Sequence, residues 1–161
     1  MSETIAYIAL GGNVGDAEAT LRQALERMGA APGIRLLRVS RLSRTDPVGG
    51  PPGQGPYLNG VAEIATTLEP GGLLHVLHEI ERSLGRDRAR EVRWGPRTCD
   101  LDILLMGRRV VDGPDLTLPH PRLHQRRFVL EGLAELAPDL RHPTLDRTMR
   151  DLLDELERQG R

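Results

Sequence analysis

The chain reads as one α+β domain: a ferredoxin-like β-α-β-β-α-β core followed by a C-terminal hairpin and two added helices. Three observations predict it. Apolar runs at 5–10, 57–68 and 100–105, with an alternating stretch at 35–44, supply four strands. Two segments with apolar residues at helical spacing fall after the first strand and after the third. Their order is that of a split β-α-β unit.

Taken in order, Ile5 to Leu10 is a short apolar strand running into the turn Gly11-Gly12-Asn13. Asp16 is an N-cap for a helix that buries Leu21, Leu25 and Met28 and stops at Gly29. Arg35 to Arg44, with Leu37 and Val39 among polar residues, reads as one continuous second strand. Residues Asp46 to Pro56 are too rich in Gly and Pro for regular structure, and a loop of that length in a compact domain is usually functional or disordered. Tyr57 to Leu68 is the third strand. Pro70 opens the second helix, with Leu73, Leu77, Ile80 and Leu84 on one face before Gly85. The fourth strand, Asp100 to Leu105, ends in a turn at 106–109 that leads into Val110-Val111 and a hairpin. Leu116 to Leu118 is extended. Helices at Arg126–Leu136 and Met149–Gln159, the latter capped by Thr148, complete the chain.

With 161 residues the chain is large enough to bury a proper core, and a single domain over 1–161 is expected. A net charge of -1 argues against a general nucleic-acid binder. The charge is unevenly spread, however. Residues 82–97 hold six arginines against Asp87 and Glu91, a local +4 that leaves -5 for the remainder. A basic segment in an acidic protein suits a small polyanion. All 22 basic residues are arginine, which excludes a Walker A lysine, a Schiff-base lysine and a lysine general base. The one cysteine, Cys99, allows no intrachain disulfide and no cysteine zinc site. No apolar stretch approaches membrane-spanning length and the N-terminus lacks a signal-peptide pattern, so a cytoplasmic protein is expected.

The chemistry concentrates between Arg93 and Leu105. Asp100 and Asp102 lie two apart on a strand and so share a face. Neighbouring carboxylates repel unless a cation sits between them, and a few hard oxygen ligands suit Mg²⁺, which takes its other ligands from water and substrate phosphates. The adjacent arginines are matching phosphate partners. Metal-assisted transfer on a nucleotide phosphate follows. Aromatic residues number only four, and Tyr57, Trp94 and Phe128 fall in site-like segments where a flat ligand would stack, whereas Tyr7 belongs to the core. Asn59 shares a strand face with Tyr57, although an exposed polar position would explain it equally well. His75 and His78 are spaced as a metal pair, but no third ligand is evident.

Read together, Leu10-Gly11-Gly12-Asn13, Arg44-Thr45, Tyr57-Leu58-Asn59, Glu81 with Gly85-Arg86, the block from Arg93 to Asp102, and Leu118-Pro119-His120-Pro121 with Arg126 and Phe128 resemble the 6-hydroxymethyl-7,8-dihydropterin pyrophosphokinases of folate biosynthesis. The resemblance implies that ATP donates its β,γ-pyrophosphoryl unit to the hydroxymethyl oxygen of the pterin and leaves as AMP. It implies two Mg²⁺ ions on Asp100 and Asp102, and phosphate contacts from Arg86 and Arg97. His120 and Arg126 would also lie at the ATP end, and Arg88 would close over the site. The implied adenine pocket lies near Ile103 and Thr117, with His78 and Glu81 at its edge. The pterin would sit between Tyr57 and Phe128, its polar edge read by Asn59 and the backbone around Thr45 and Val48. Asp100 would accept from the acceptor hydroxyl, and Trp94 would close the site. The partners are then two small molecules, with a monomer as the default. Both the loop 46–56 and the arginine loop would act as lids that order when ATP binds.

Two other classes share parts of this pattern. An RNA-recognition module has the same element order, but no aromatic-rich strand motif is present and paired aspartates would repel an RNA backbone. A nucleotidyltransferase would also use paired carboxylates, yet it does not account for the set Tyr57, Asn59 and Phe128.

Overall fold

The structure, a computed structural model, describes residues 2–13, 15–45, 56–85 and 99–160. Val48, the loop 46–55, Arg86, Arg88, Trp94 and Arg97 lie outside the described residues, and so do the expectations placed on them.

Strand β1 (Thr4–Gly12) occupies the middle of an antiparallel sheet, between β4 (Tyr57–Thr66) and β5 (Asp100–Met106). β2 (Ile34–Val39) pairs with one end of β4, and β3 (Ser43–Thr45) with the other. The order β2-β4-β1-β5, with helices α1 (Ala17–Ala30) and α2 (Pro70–Ser83) as crossovers, is the ferredoxin-like arrangement. Helices α3 (Arg127–Leu136) and α4 (Met149–Gln159) follow a small hairpin of β6 (Val111–Asp112) and β7 (Thr117–Leu118).

The sheet is covered on both faces. On one, Leu21 and Met28 of α1 and Leu73, Leu77 and Ile80 of α2 meet Ile8, Leu10, Ile64, Leu101 and Ile103. On the other, Val129, Leu130 and Leu133 of α3 and Met149 and Leu152 of α4 meet Tyr7, Val61, Leu104 and Leu105. Two consecutive leucines, 104 and 105, reach the same side because the register against β1 slips there: Ile8 faces Ile103 and Tyr7 faces Leu105. Leu104 is thus the extra residue of a β-bulge.

Several boundaries depart from the sequence expectation for identifiable reasons. The stretch 35–44 is two strands, not one. Ser40 turns the chain by donating its backbone N–H to Val61 O (2.8 Å) and accepting from Val61 N on its hydroxyl (2.9 Å). Leu42 then folds over Gly60, where a Cβ would lie 2.6 Å from Leu42 Cδ2. α1 runs through Gly29 to Ala30, and the reversal into β2 uses Gly33 at φ +84°. β6 pairs with β7 and not back onto β5. Asp16 and Thr148 cap their helices as expected, accepting from Ala19 N and Asp151 N at 3.1 Å.

Candidate active site

Side chains alternate along a strand, so the register decides what surrounds the two aspartates. Asp100 faces Gly11 on β1, and Gly11 faces Asn59 on β4. Asp102 faces Ala9, which faces Val61. Both carboxylates are half-buried, on the α3 side of the sheet, and the β1 residues beside them are the two smallest side chains available. Neither of these β1 neighbours projects more than a methyl group over the sheet at this end. Gly11 is closely fitted, since a Cβ there would come 3.2 Å from Asn59 Oδ1.

The other site residues reach this end by separate routes. Tyr57 and Thr45 face each other where β4 meets β3. Asn59, only 6 % exposed, donates to Thr45 Oγ1 at 2.7 Å, so its polar character is built in and is not an accident of surface position. Phe128, half-buried in the first turn of α3, lines with Asn59, Gly60 and Ser43 a cavity of about 780 Å³. His120 follows the cis Leu118–Pro119 bond and is hung beside β5 by its backbone N–H, which donates to Leu104 O at 2.9 Å. Its Nδ1 accepts from Arg122 N at 3.1 Å, which leaves Nε2 to carry the proton of the neutral ring. Burial holds the His120 pKa down at about 4; the Arg126 charge pushes the same way, Asp100 opposes it and Arg122 adds to the depression. Asp100 from β5 and Arg126 from the start of α3 thus both act on His120, which stands in the β7–α3 connection.

Of the four residues expected around an adenine ring, Glu81 and Ile103 are turned into the interior. Glu81 is not at a pocket edge: it is 1 % exposed, and its Oε2 accepts from Leu101 N at 2.8 Å, tying the end of α2 to the start of the aspartate strand. The side chain of Ile103 is in the core on the α2 face, opposite to Asp100 and Asp102. Thr117 is exposed on β7, which lies against β5, and His78 is half-buried on α2. Arg122 was not singled out in the sequence; the cluster Arg122, Arg126 and Arg127 behind His120 was the available signal. Among the described residues no group of three or more His, Cys, Asp and Glu comes together as a metal site, so the aspartate pair stands as two carboxylates. Among them, too, no helix is long and apolar enough to cross a membrane.

The family model for 7,8-dihydro-6-hydroxymethylpterin-pyrophosphokinase matches residues 7–138. This chain belongs to that family. Among curated relatives, the 2-amino-4-hydroxy-6-hydroxymethyldihydropteridine pyrophosphokinase of Bacillus subtilis is 49 % identical over 132 residues, 82 % of this chain and 77 % of the relative. Its namesake in Methylorubrum extorquens is 44 % identical over 157 residues, 98 % of this chain and 96 % of the relative. In solved structures, the crystal structure of an HPPK-DHPS in complex with substrates matches with a TM-score of 0.75 at 12 % identity, over 98 % of this chain and 44 % of that one. Plasmodium falciparum wild-type HPPK-DHPS with STZ-DHP gives 0.76 at 15 % identity, over 95 % and 43 %. This chain spans less than half the length of those two, and at such identity they establish the fold alone. The protein is an ATP-dependent pyrophosphokinase that transfers a pyrophosphoryl group to 6-hydroxymethyl-7,8-dihydropterin in folate biosynthesis. The RNA-binding alternative also meets a physical obstacle, because α3 and α4 cover the sheet face it would need.

Proposed function

We propose that the transfer takes place over the end of the sheet where Asp100 and Asp102 face Gly11 and Ala9, and that residues 1–161 act as one catalytic domain. The observation that carries this is the pairing of two same-face carboxylates with the smallest neighbours on β1, beside His120 and Arg126.

A divalent cation fits this pair. The donors are hard oxygens, half-buried, on one face, beside the small side chains of Gly11 and Ala9, and two protein ligands suit an ion that completes its octahedron with water and phosphate oxygens. Asp100 and Asp102 would hold two Mg²⁺ ions, whose presence would neutralise triphosphate charge and align the phosphates. The chain's own residues do the rest. Arg126 and the Nε2–H of His120 bind phosphate oxygens, joined by Arg86, Arg97 and Arg88 from the arginine loop, with Trp94 closing over the bound substrates. His78 and Thr117 flank the adenine, while Ile103 and Glu81 support it from within the core. Tyr57 and Phe128 stack on the pterin ring, and Asn59 with the backbone near Thr45 and Val48 reads its polar edge. Asp100 accepts from the hydroxymethyl O–H and aims that oxygen at the β-phosphorus; as the new P–O bond forms, the bond from the β-phosphorus to the oxygen it shares with the α-phosphate breaks, AMP departs and the hydroxyl proton passes to solvent. Positioning and charge neutralisation supply the rate. All these groups come from one chain, in keeping with a monomer, and its small-molecule substrates suit a cytoplasmic enzyme.

The test is AMP release from ATP and Mg²⁺ with and without the pterin. Pterin-dependent AMP is expected, whereas ADP would mark an ordinary kinase. Folded protein that binds ATP and releases no AMP would overturn the assignment.

A further inference from the structure

α3 runs along β4 in step with it. Leu136 O accepts from Arg38 Nη2 (2.6 Å), which also holds Glu63 on β4. One turn earlier, Gly132 lies over Val61; one turn earlier again, Phe128 shares a cavity with Asn59. Four helical residues advance about 6 Å and two strand residues about 6.6 Å, so each turn of α3 matches one same-face step of β4. Phe128 and Gly132, at i and i+4, share a helix face.

The middle step is the tight one. A Cβ at Gly132 would lie 2.5 Å from Val61 Cγ2, 3.0 Å from Val61 Cβ and 3.3 Å from Ser40 Oγ. None of these is the free end of a flexible chain. Val61 is fully buried, and Ser40 Oγ is fixed by Val61 N (2.9 Å) and Arg41 O (3.0 Å). The far end of the helix is fixed too, by the Arg38 bond to Leu136 O and by Arg41 N donating to both carboxylate oxygens of Glu135 (3.0 and 3.2 Å). A side chain at 132 can then be accommodated only by lifting the N-terminal half of α3. Ordinary carbon contacts need about 1 Å more than the space present. Pivoting near Leu136, a lift of about 1 Å at Gly132 becomes about 2 Å at Phe128, twice as far along the axis.

We infer that Gly132 is a positioning residue for the pterin: its missing side chain seats α3 on β4 and so sets the distance from the Phe128 ring to Asn59 and Tyr57. The inference rests on the reading of Phe128 as a pterin-stacking ring. At the ATP end His120 does not ride on this hinge, and Arg126, although it is the N-cap of α3, is also held from outside the helix. His120 hangs on Leu104 O, and Arg126 N donates to Leu123 O in a 3₁₀ turn whose Leu123 is fully buried.

The experiment measures KM for pterin and for ATP in Gly132→Ala, in Gly132→Ala/Val61→Ala and in Phe128→Ala. Gly132→Ala should raise the pterin KM about tenfold, the size of one lost aromatic stack, and leave the ATP KM within about threefold. Removing the Val61 methyls should return most of the pterin KM, which a general loss of stability would not allow. Should Gly132→Ala fail to fold, Val61→Ile presses on the same contact more gently and should shift the pterin KM about threefold with ATP unaffected. Unchanged pterin KM in folded Gly132→Ala or in Val61→Ile, or equal rises for both substrates that Val61→Ala does not relieve, would overturn the inference. Phe128→Ala separates the two readings: a raised pterin KM there without one in the Gly132 variant sinks only the role of Gly132, while no effect in Phe128→Ala sinks both.

Discussion

The α3 face of the sheet carries carboxylates at both ends, in different surroundings. At one end Glu63 is matched by the fold: Tyr7 Oη donates to it at 2.7 Å and Arg38 grips both of its oxygens at 3.0 and 2.9 Å. A single negative charge meets a bidentate cation and a phenol, under the C-terminus of α3. At the other end Asp100 and Asp102 place two negative charges side by side, next to glycine and alanine and near His120 and Arg126. Satisfying one carboxylate with an arginine and a tyrosine is what a stable fold does. Setting two together over small residues favours binding something positive. The contrast teaches that role follows surroundings, not residue type.

The largest expected effect separates the two ends outright. Asp102→Ala should lower kcat/KM by about 10³-fold, as loss of a principal charge-stabilising group does. Its unfolding midpoint should move by no more than about 4 °C, since relief of the repulsion from Asp100 offsets the contacts that the side chain gives up. Steady-state kinetics and a thermal melt on the same preparation decide it. Near-normal turnover would remove Asp102 from the reaction, and collapse of the fold would make it a structural carboxylate like Glu63.

At the closed end the outcome should invert. Tyr7→Phe should cost about 1–2 kcal/mol of stability, because it takes a hydrogen bond from a buried carboxylate, and should leave turnover near wild type. The pH dependence carries a sign. The hydrogen bond from Arg38 lowers the Glu63 pKa, overcoming the opposing effect of burial. The resulting stability is complete above the unfolded glutamate value of about 4.3 and is lost as the pH falls through the lower folded value. Burial, and then the bond to Glu63, raise the Tyr7 pKa. Its contribution therefore holds below the unfolded tyrosine value of about 10 and is lost as the pH rises beyond it. Urea unfolding across this range should show a shallower acid loss in Glu63→Gln and a shallower alkaline loss in Tyr7→Phe. Identical acid profiles for Glu63→Gln and wild type would show that the closed end does not work this way.

Local pattern carried much of this into the sequence. The apolar runs of β1, β4 and β5, the caps at Asp16 and Thr148, and the shared face of Asp100 and Asp102 all depend on neighbours a few residues away. What was illegible depends on distant contacts. The bend at 40–42 forms because Leu42 finds the bare surface of Gly60, and neither residue signals the other. Leu104 becomes a bulge only against β1. Glu81 is buried because its partner is a backbone N–H twenty residues on, which no side-chain pattern announces. At the site, the pairing of Asn59 with Thr45 needed the register of β3 on β4, and the small residues Gly11 and Ala9 gained meaning only once they stood opposite the aspartates.

The smallest expected effect concerns how the open end recognises phosphate. His120 is neutral at physiological pH, since its pKa lies near 4, and its proton sits on Nε2 because Nδ1 accepts from Arg122 N. As a base with a depressed pKa it gains charge only as the pH falls through that value, so no activity limb near the ordinary histidine value of about 6.5 should belong to His120 in the free enzyme. His120→Asn keeps an acceptor for Arg122 N and removes the outward donor. One hydrogen bond from a neutral donor to a phosphate anion is worth about 1.5 kcal/mol, so the ATP KM should rise about tenfold with the pterin KM unchanged. A triphosphate placed against this ring should also raise its pKa, which an NMR titration of His120 with and without a non-hydrolysable ATP analogue would read directly. An imidazole whose titration ignores the analogue would take His120 out of the phosphate site and leave Arg126 as its described cation.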